Sequence, residues 1–301
     1  MARPVETEVA RRPRSTAQAY RYCQWLTAHH YENFPVASWL IPPALRPHVA
    51  AIYAFARTAD DFADEESDPQ RALTQLAAWG DALESATGRG GGGPDHPVFV
   101  ALAETIRTYD LPVQLFRDLL TAFTRDVTVK RYATWDDLLT HYCRFSANPV
   151  GRLVLLLFGY REPALHELSD HVCSALQLTN FWQDLAIDLA NNRIYLPQEA
   201  MARYGVTEAA LFQHTAGESF RRLMAHAADV TQSLFDQGQD LPNRVRGRLS
   251  WELRATWLGG TTILRRVHAV GYDTFHRRPA LTPWDKLSIA GRALLGGARA
   301  V

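Results

Sequence analysis

The chain has 301 residues, 47% of them hydrophobic, so it is long enough to bury a large core. Its 32 basic and 32 acidic residues give a formal net charge of zero, which argues against a protein that binds nucleic acid through bulk charge. The three cysteines have no paired spacing and predict buried thiols in a reducing compartment, rather than disulfides or a zinc site.

The N-terminal residues 1–14 are rich in arginine and proline, and no apolar run follows the charges. This composition predicts a disordered lead-in and not a secretory signal. The most apolar run, 153–158, is far too short to span a membrane. We therefore expect a cytoplasmic protein, with contact at the inner face of the membrane as an open alternative.

Apolar residues recur with helical periodicity along nearly the whole chain, whereas strand-like alternation is hard to find. The pattern predicts helices at 16–30, 47–66, 69–86, 97–109, 113–127, 135–158, 164–190, 207–237, 243–270 and 283–297. Asp68 followed by Pro69 is a strong helix start. No repeat or linker divides the chain, so we expect one all-α domain over 15–301.

The predicted helix 47–66 carries an acidic cluster in which Asp60 and Asp64 share one face with Tyr53 and Arg57. Carboxylates of one sign in an otherwise apolar helix are costly unless a cation lies between them. Oxygen ligands without His or Cys suit Mg²⁺ bound together with a substrate phosphate. The alternative is an ordinary solvated helix face.

The predicted helix 164–190 carries a second polar stripe with apolar neighbours. Its members, one turn or less apart, are Gln177, Asn180, Asp184 and Asp188. Arg193 and Tyr195 follow the helix, where Arg193 is placed to contact a diphosphate and Tyr195 to face the substrate. These two clusters predict an enzyme that binds a diphosphate through magnesium.

Two long motifs in this order resemble those of the squalene and phytoene synthases. The first is Tyr-x-x-x-Arg-x-x-Asp-Asp-x-x-Asp at 53–64, and the second is Gln-Leu-Thr-Asn-x-x-x-Asp-x-x-x-Asp at 177–188, followed by Arg-Ile-Tyr-Leu-Pro at 193–197. The resemblance implies an all-α isoprenoid-synthase fold with a central active-site cavity. It also implies roughly three Mg²⁺ ions, with five residues as metal ligands: Asp60, Asp64, Asn180, Asp184 and Asp188. Tyr53, Arg57 and Tyr195 are expected to be catalytic, and Arg57, Arg193 and Gln177 are expected to bind the diphosphate.

Within the family, the segments 29–38 and 57–65 are most similar to the bacterial branch that forms hydroxysqualene from presqualene diphosphate in hopanoid synthesis. Condensing members usually carry a base near the first helix, where this chain has Glu32. They also carry a small apolar segment where this chain has Ser146 and Asn148. We hypothesise that these two residues orient the water that traps the cation; the alternative is that they satisfy backbone groups at a kink before Pro149.

The resemblance implies an isoprenoid diphosphate substrate, no NADPH, an upstream presqualene diphosphate synthase and a downstream hydroxysqualene reductase. Condensation of two farnesyl or two geranylgeranyl diphosphates is the alternative reaction, and a non-catalytic assembly factor is the alternative from another class. The C-terminal segment 284–301 mixes tryptophan and leucine with basic residues. It is interpreted as a last core helix with a frayed tail, and contact with a membrane surface is the other interpretation.

Overall fold

The computed structural model describes residues 13, 15–29, 40–88 and 95–295. Regular structure in these ranges is helical, and its single β-type contact is a parallel bridge between Arg131 and Ile194. The predicted all-α class is confirmed for this part of the chain. The predicted disorder of residues 1–14 falls almost entirely outside it.

The chain forms two compact units. The first contains the described residues up to Thr128 together with Leu153–Gly159, and the second contains Val129–Arg152 and the described residues from Tyr160 onward. The helices that lie wholly in the first unit are α1 (Thr16–His29), α2 (Arg46–Asp64), α3 (Pro69–Thr87), α4 (Pro97–Tyr109) and α5 (Val113–Thr128).

The core of the first unit forms around one face of α2. Phe55 is fully buried and packs its ring against Trp79, Phe99 and Phe116. Trp79 Nε1 also donates to the backbone oxygen of Phe55 over 3.3 Å, so the indole is not left with an unsatisfied donor. This packing fixes the rotation of α2 and therefore which of its side chains point away from the core.

The second unit begins with α6 (Trp135–Leu138), a π-helical turn (Leu139–Cys143), α7 (Arg144–Ser146) and α8 (Asn148–Leu157), whose second half belongs to the first unit. It continues with α9 (Pro163–Gln183), α10 (Leu185–Ala190), α11 (Gln198–Tyr204), α12 (Glu208–Phe212), α13 (Glu218–Gly238), α14 (Leu241–Arg244), α15 (Gly247–Ala269) and α16 (Pro283–Leu295).

Helix α9 packs against α13 and α15 in the centre of the second unit. Gly260 of α15 permits the close approach, because a Cβ there would lie 2.6 Å from both Leu176 Cδ2 and Phe235 Cζ. Trp182 is fully buried and donates from Nε1 to Thr231 Oγ1 over 2.8 Å. These contacts hold the end of α9, where the second acidic cluster lies.

Four long predicted helices are interrupted, and one of them, 243–270, is broken at Val245 and Arg246 between α14 and α15. The segment 135–158 contains the π-helical turn and a break at Ala147, before the proline at 149. The segment 164–190 breaks at Asp184, whose backbone lies in the sparsely populated bridge region (φ −105°, ψ 15°). The segment 207–237 is broken between α12 and α13, where His214 has φ 52°. Periodicity alone missed these breaks, and it also missed the short helix α11.

Candidate active site

The first acidic cluster lies at the C-terminal end of α2. Arg57 donates from Nη1 to Asp60 Oδ2 over 3.2 Å, and its Nη2 lies 2.7 Å from Asp61 Oδ1. Asp64 is exposed one turn after Asp60, and Tyr53 is half-buried one turn before Arg57. The structure therefore pairs Arg57 with Asp60, on the same helix face, and adds Asp61 as a second partner.

This position is electrostatically unfavourable for acids. The C-terminus of a helix carries a partial negative charge, and the last turn of α2 contains carboxylates and no basic residue. The guanidinium of Arg57 offsets part of that repulsion. A further cation at Asp60 and Asp64 would offset more of it, which fits the predicted role of this cluster.

The second acidic cluster centres on Asp184, where the polypeptide passes from α9 to α10. Asn180 Nδ2 donates to Asp184 Oδ2 over 2.8 Å. Arg278 donates from Nε to Oδ1 over 2.5 Å and from Nη2 to Oδ2 over 3.2 Å, so both carboxylate oxygens of Asp184 are engaged. Two predicted metal ligands thus lie side by side, together with an arginine that the sequence analysis did not identify.

Arg278 is held beside the cluster by the chain around it. Gln183 Nε2 donates to the backbone oxygen of Pro279 over 2.5 Å, which fastens this segment to the end of α9. The only sequence signal for Arg278 was an arginine pair, Arg277 and Arg278, before a proline. That signal is weak because it does not say which acid, if any, the arginine pairs with.

The segment after α10 folds back through a left-handed turn. Asn192 has φ 57°, and Arg193 N donates to the backbone oxygen of Asp188 over 2.8 Å, as in a Schellman C-cap. The backbone of Arg193 therefore lies directly against the last predicted metal ligand. Asp188 on α10 and Gln177 on α9 are both half-buried.

Arg131 holds this returning segment in place. It donates to the backbone oxygen of Asn192 over 2.6 Å, to Asn192 Oδ1 over 3.0 Å, and to both carboxylate oxygens of Glu208 over 2.9 Å. The same guanidinium lowers the pKa of the Glu208 carboxyl. Arg131 is thus a positioning residue for the turn that carries Arg193 and Tyr195.

Tyr195 lies in a buried aromatic cluster. Its ring stacks on Phe181 with centroids 3.6 Å apart and planes 8° apart, and it also contacts Tyr142 and Tyr132. Tyr142 comes from the π-helical turn, a type of distortion that is frequent at functional sites. Phe181 therefore covers one face of the Tyr195 ring.

Ser146 and Asn148 each have a hydrogen-bond partner within the second unit. Ser146 Oγ donates to the backbone oxygen of Tyr142 over 3.0 Å, one turn earlier. Asn148 Oδ1 accepts from the buried Ser174 Oγ over 3.0 Å. The Ser146 contact is the backbone bond that the alternative interpretation expects, whereas Asn148 is oriented by a side chain of α9.

The donor types at both clusters fit Mg²⁺. Each cluster supplies hard oxygen atoms, and each already holds a guanidinium against its carboxylates, so each favours positive charge. Asn180 uses its amide nitrogen toward Asp184, which leaves its Oδ1 as the atom able to bind a metal. No group of three His, Cys, Asp or Glu side chains suited to holding a metal ion occurs within the described ranges. Glu32 lies outside those ranges.

Comparison with known proteins identifies the family. Residues 27–285 match the squalene/phytoene synthase family model, and the chain belongs to that family. A hydroxysqualene synthase of Zymomonas mobilis is 41% identical over 68% of each chain, and one of Rhodopseudomonas palustris is 37% identical over 85% of each chain. The crystal structure of squalene synthase HpnC from Alicyclobacillus acidocaldarius covers 86% of this chain and 97% of its own, with a TM-score of 0.80 and 39% identity. The fold is therefore that of the isoprenoid synthases.

Proposed function

We propose that the protein converts presqualene diphosphate and water to hydroxysqualene and diphosphate. The observation that carries this proposal is the similarity to hydroxysqualene synthases at 37–41% identity, over 68–85% of the chain, with both acidic motifs intact. Intact acids also argue against a non-catalytic assembly factor, because such a protein has no use for them.

Asp60 and Asp64 in the first cluster, and Asn180, Asp184 and Asp188 in the second, would hold Mg²⁺ that binds the diphosphate. Gln177, on the same helix as Asn180, would contact the diphosphate. When bound, the metal supplies positive charge that makes the diphosphate a better leaving group. Arg57 and Arg193 contact the diphosphate directly. Arg278 belongs to the same group of diphosphate-binding arginines, because it already pairs with Asp184.

The reaction begins when the carbon–oxygen bond to the diphosphate breaks. The arginines stabilise the negative charge that develops on the departing oxygen. The cyclopropylcarbinyl cation that remains rearranges in an apolar space that excludes water, and Tyr53 and Tyr195 stabilise its charge through their aromatic rings. Water then forms the new carbon–oxygen bond and releases a proton, so no reductant and no NADPH is consumed.

Ser146 and Asn148 orient the attacking water. Asn148 is the better oriented of the two, because its Oδ1 accepts a hydrogen bond from the hydroxyl of the buried Ser174. Glu32 contributes to the choice of substrate by disfavouring a second diphosphate. A substrate with only one diphosphate tolerates that acid, whereas the condensation of two prenyl diphosphates does not.

Apart from its diphosphate the substrate is apolar, and it is supplied by a reaction that joins two prenyl diphosphates. The alcohol product is consumed by a reductive removal of its hydroxyl group. No helix in the described ranges is long and apolar enough to cross a membrane. The enzyme works in the cytoplasm, with peripheral contact at the inner face of the membrane.

The test is a product assay on the purified protein with Mg²⁺ and without NADPH. Presqualene diphosphate is supplied in one reaction and farnesyl diphosphate in another, and the extracts are analysed by mass spectrometry. Hydroxysqualene from the first and no product from the second are expected. Consumption of farnesyl diphosphate would instead indicate a condensing synthase and would contradict the role given to Glu32.

The water-orienting role is tested with the double variant Ser146→Ala/Asn148→Ala. The ratio of alcohol to olefin products should fall, because water is no longer held near the cation. Ser233→Ala is the matched control, since Ser233 is an exposed serine on α13 and should leave the product ratio unchanged. An unchanged product ratio in the double variant would exclude this role.

A further inference from the structure

The carboxylate of Asp184 accepts three hydrogen bonds from two residues. Arg278 donates from Nε to Oδ1 over 2.5 Å and from Nη2 to Oδ2 over 3.2 Å, and Asn180 Nδ2 donates to Oδ2 over 2.8 Å. A carboxylate offers about four lone-pair positions, so these bonds use most of the acceptor capacity of Asp184. Any other cation that binds Asp184 therefore shares the carboxylate with the guanidinium of Arg278.

Such sharing is unfavourable for a divalent ion. Mg²⁺ requires short bonds and a nearly ideal octahedral set of oxygen ligands, whereas Arg278 Nε already lies 2.5 Å from Asp184 Oδ1. A guanidinium and a divalent ion on one carboxylate also repel each other. The side chain of Asp184 is largely buried, so water screens that repulsion only weakly. Arg278 and Mg²⁺ consequently compete for Asp184.

The backbone that carries Arg278 is anchored on both sides. Before it, Phe275 is buried and stacks on an aromatic ring of α13, with centroids 4.5 Å apart. After it, the backbone oxygen of Pro279 accepts a hydrogen bond from Gln183 Nε2. The side chain of Arg278 itself is 50% exposed. The guanidinium can therefore leave the carboxylate by a change of rotamer, while the backbone of the segment stays in place.

We propose that Arg278 competes with Mg²⁺ for Asp184 and releases this carboxylate when a diphosphate binds its guanidinium instead. The planar fork of N–H donors in arginine fits phosphate oxygens as well as carboxylates. The diphosphate thus gives Arg278 a new partner and gives the metal further oxygen ligands. Mg²⁺ and diphosphate therefore bind cooperatively at the second acidic cluster. This inference rests on the magnesium site of the proposed function.

A purely structural ion pair predicts a different result. If Arg278 only kept Asp184 in place, its removal would disorder the cluster, and Mg²⁺ would bind with unchanged or lower affinity. Competition predicts that removal of the arginine raises the affinity. The direction of the change in Mg²⁺ affinity therefore distinguishes the two roles.

Isothermal titration calorimetry with Mg²⁺ tests the proposal on the full chain, without an isoprenoid. Arg278→Gln should bind Mg²⁺ about fivefold more tightly than the unchanged protein, or better, because Asp184 has lost its competitor. Arg277→Gln is the matched control, since it removes the same charge from the adjacent exposed residue. Its Mg²⁺ affinity should stay near that of the unchanged protein. As a second readout, Mg²⁺ should raise the Tm of Arg278→Gln more than that of the unchanged protein.

A double-mutant cycle assigns the gain to Asp184. In the background of Asp184→Asn, the further change Arg278→Gln should give no gain in Mg²⁺ affinity, since no carboxylate is released. Arg278→Lys keeps the charge but loses the two-point contact, so its affinity should lie between those of the unchanged protein and Arg278→Gln. Circular dichroism checks that each variant is folded.

Inorganic pyrophosphate tests the predicted cooperativity. The Mg²⁺ titrations are repeated with pyrophosphate in excess, at free Mg²⁺ concentrations corrected for the complex that the two form in solution. Pyrophosphate should raise the Mg²⁺ affinity of the unchanged protein by a larger factor than that of Arg278→Gln, in which the competitor is already absent.

Three outcomes would overturn the proposal. They are an Mg²⁺ affinity of Arg278→Gln no higher than that of Arg277→Gln, a gain that persists in the Asp184→Asn background, and an equal effect of pyrophosphate on both proteins. None of these measurements involves turnover, so such a failure leaves the proposed reaction to the product assay. No Mg²⁺ binding by any of the proteins, with or without pyrophosphate, would instead remove the magnesium site of the proposed function, and this inference with it.

Discussion

At the level of single residues, Asp184 combines three features: a break in a helix, an amide neighbour and a bidentate arginine. Its side chain is only 16% exposed, so its charge needs compensation from the protein or from a bound cation. Arg278 supplies that compensation in this structure. This explains how a cluster of polar side chains is tolerated beside the apolar end of α9.

The variant Asp184→Asn keeps the size of the side chain and removes its charge. We expect hydroxysqualene formation to fall by about 100-fold or more, because the leaving diphosphate loses a partner that acts through the metal. Steady-state assays over a range of Mg²⁺ concentrations measure this. Asp81→Asn, an exposed site on α3, should change nothing. Near-normal turnover in Asp184→Asn would remove this residue from the site.

The cysteines provide a second test at this scale. Burial raises the pKa of Cys23 and Cys143 to about 12 and that of Cys173 to about 11. A thiol is neutral below its pKa, so at pH 8 these groups should hardly react with a disulfide reagent in the folded protein. Unfolding in urea should expose all three at once, as followed by absorbance. Rapid labelling of Cys23 or Cys143 without urea would contradict their burial.

At the level of elements, the turn after α10 depends on a residue far from it in sequence. Arg131 contacts Asn192 and Glu208 at once and so joins three separate parts of the second unit. No periodicity predicts such a contact, because it depends on how the parts pack together. The sequence analysis noted Arg193 and Tyr195 in the returning segment but not the residue that holds them.

Replacement of Arg131 by methionine removes these bonds and retains an unbranched apolar side chain. We expect a loss of about 2 kcal/mol in the free energy of unfolding, because the bonds are charge-assisted and partly buried. The KM should rise more than the kcat falls, since the turn that carries Arg193 is loosened; Arg131→Lys should recover part of the effect. Urea unfolding measures the loss of stability, and steady-state kinetics measure the changes in KM and kcat.

Arg117→Met is the control for this prediction. Arg117 makes an equally short bidentate pair with Glu84, but both side chains are about half exposed, and we expect no measurable change in the free energy of unfolding. The loss of stability that Arg131→Met causes should also depend on pH. The pKa of Glu208 is lowered in the folded protein, so its contribution is present above the ordinary carboxyl pKa and is lost as the pH falls through the lowered value. An effect of Arg131→Met that is independent of pH would argue against the ion pair.

At the level of the whole molecule, the balance of 32 acidic and 32 basic residues leaves no net charge to keep copies apart near neutral pH. We expect the lowest solubility in dilute buffer near pH 7 and higher solubility near pH 5, where most of the 11 histidines carry a proton and the net charge becomes positive. Light scattering across this pH range measures it. Solubility that is highest near pH 7 would contradict this expectation.

The sequence by itself determined the helical class, most helix starts and the two acidic motifs. These features are local: capping residues, periodicity and spacings of three and four act within a few residues of one another. The sequence also indicated a magnesium site, because oxygen ligands without His or Cys restrict the choice of metal.

The tertiary structure decided the contacts between residues that lie far apart in the sequence. Arg278 meets Asp184 across 94 residues, and Arg131 meets Asn192 across 61. The breaks at Asp184 and Ala147 were not readable from helical periodicity either. Such features depend on which elements pack together, and the free energy of that packing is shared among residues that no local pattern connects.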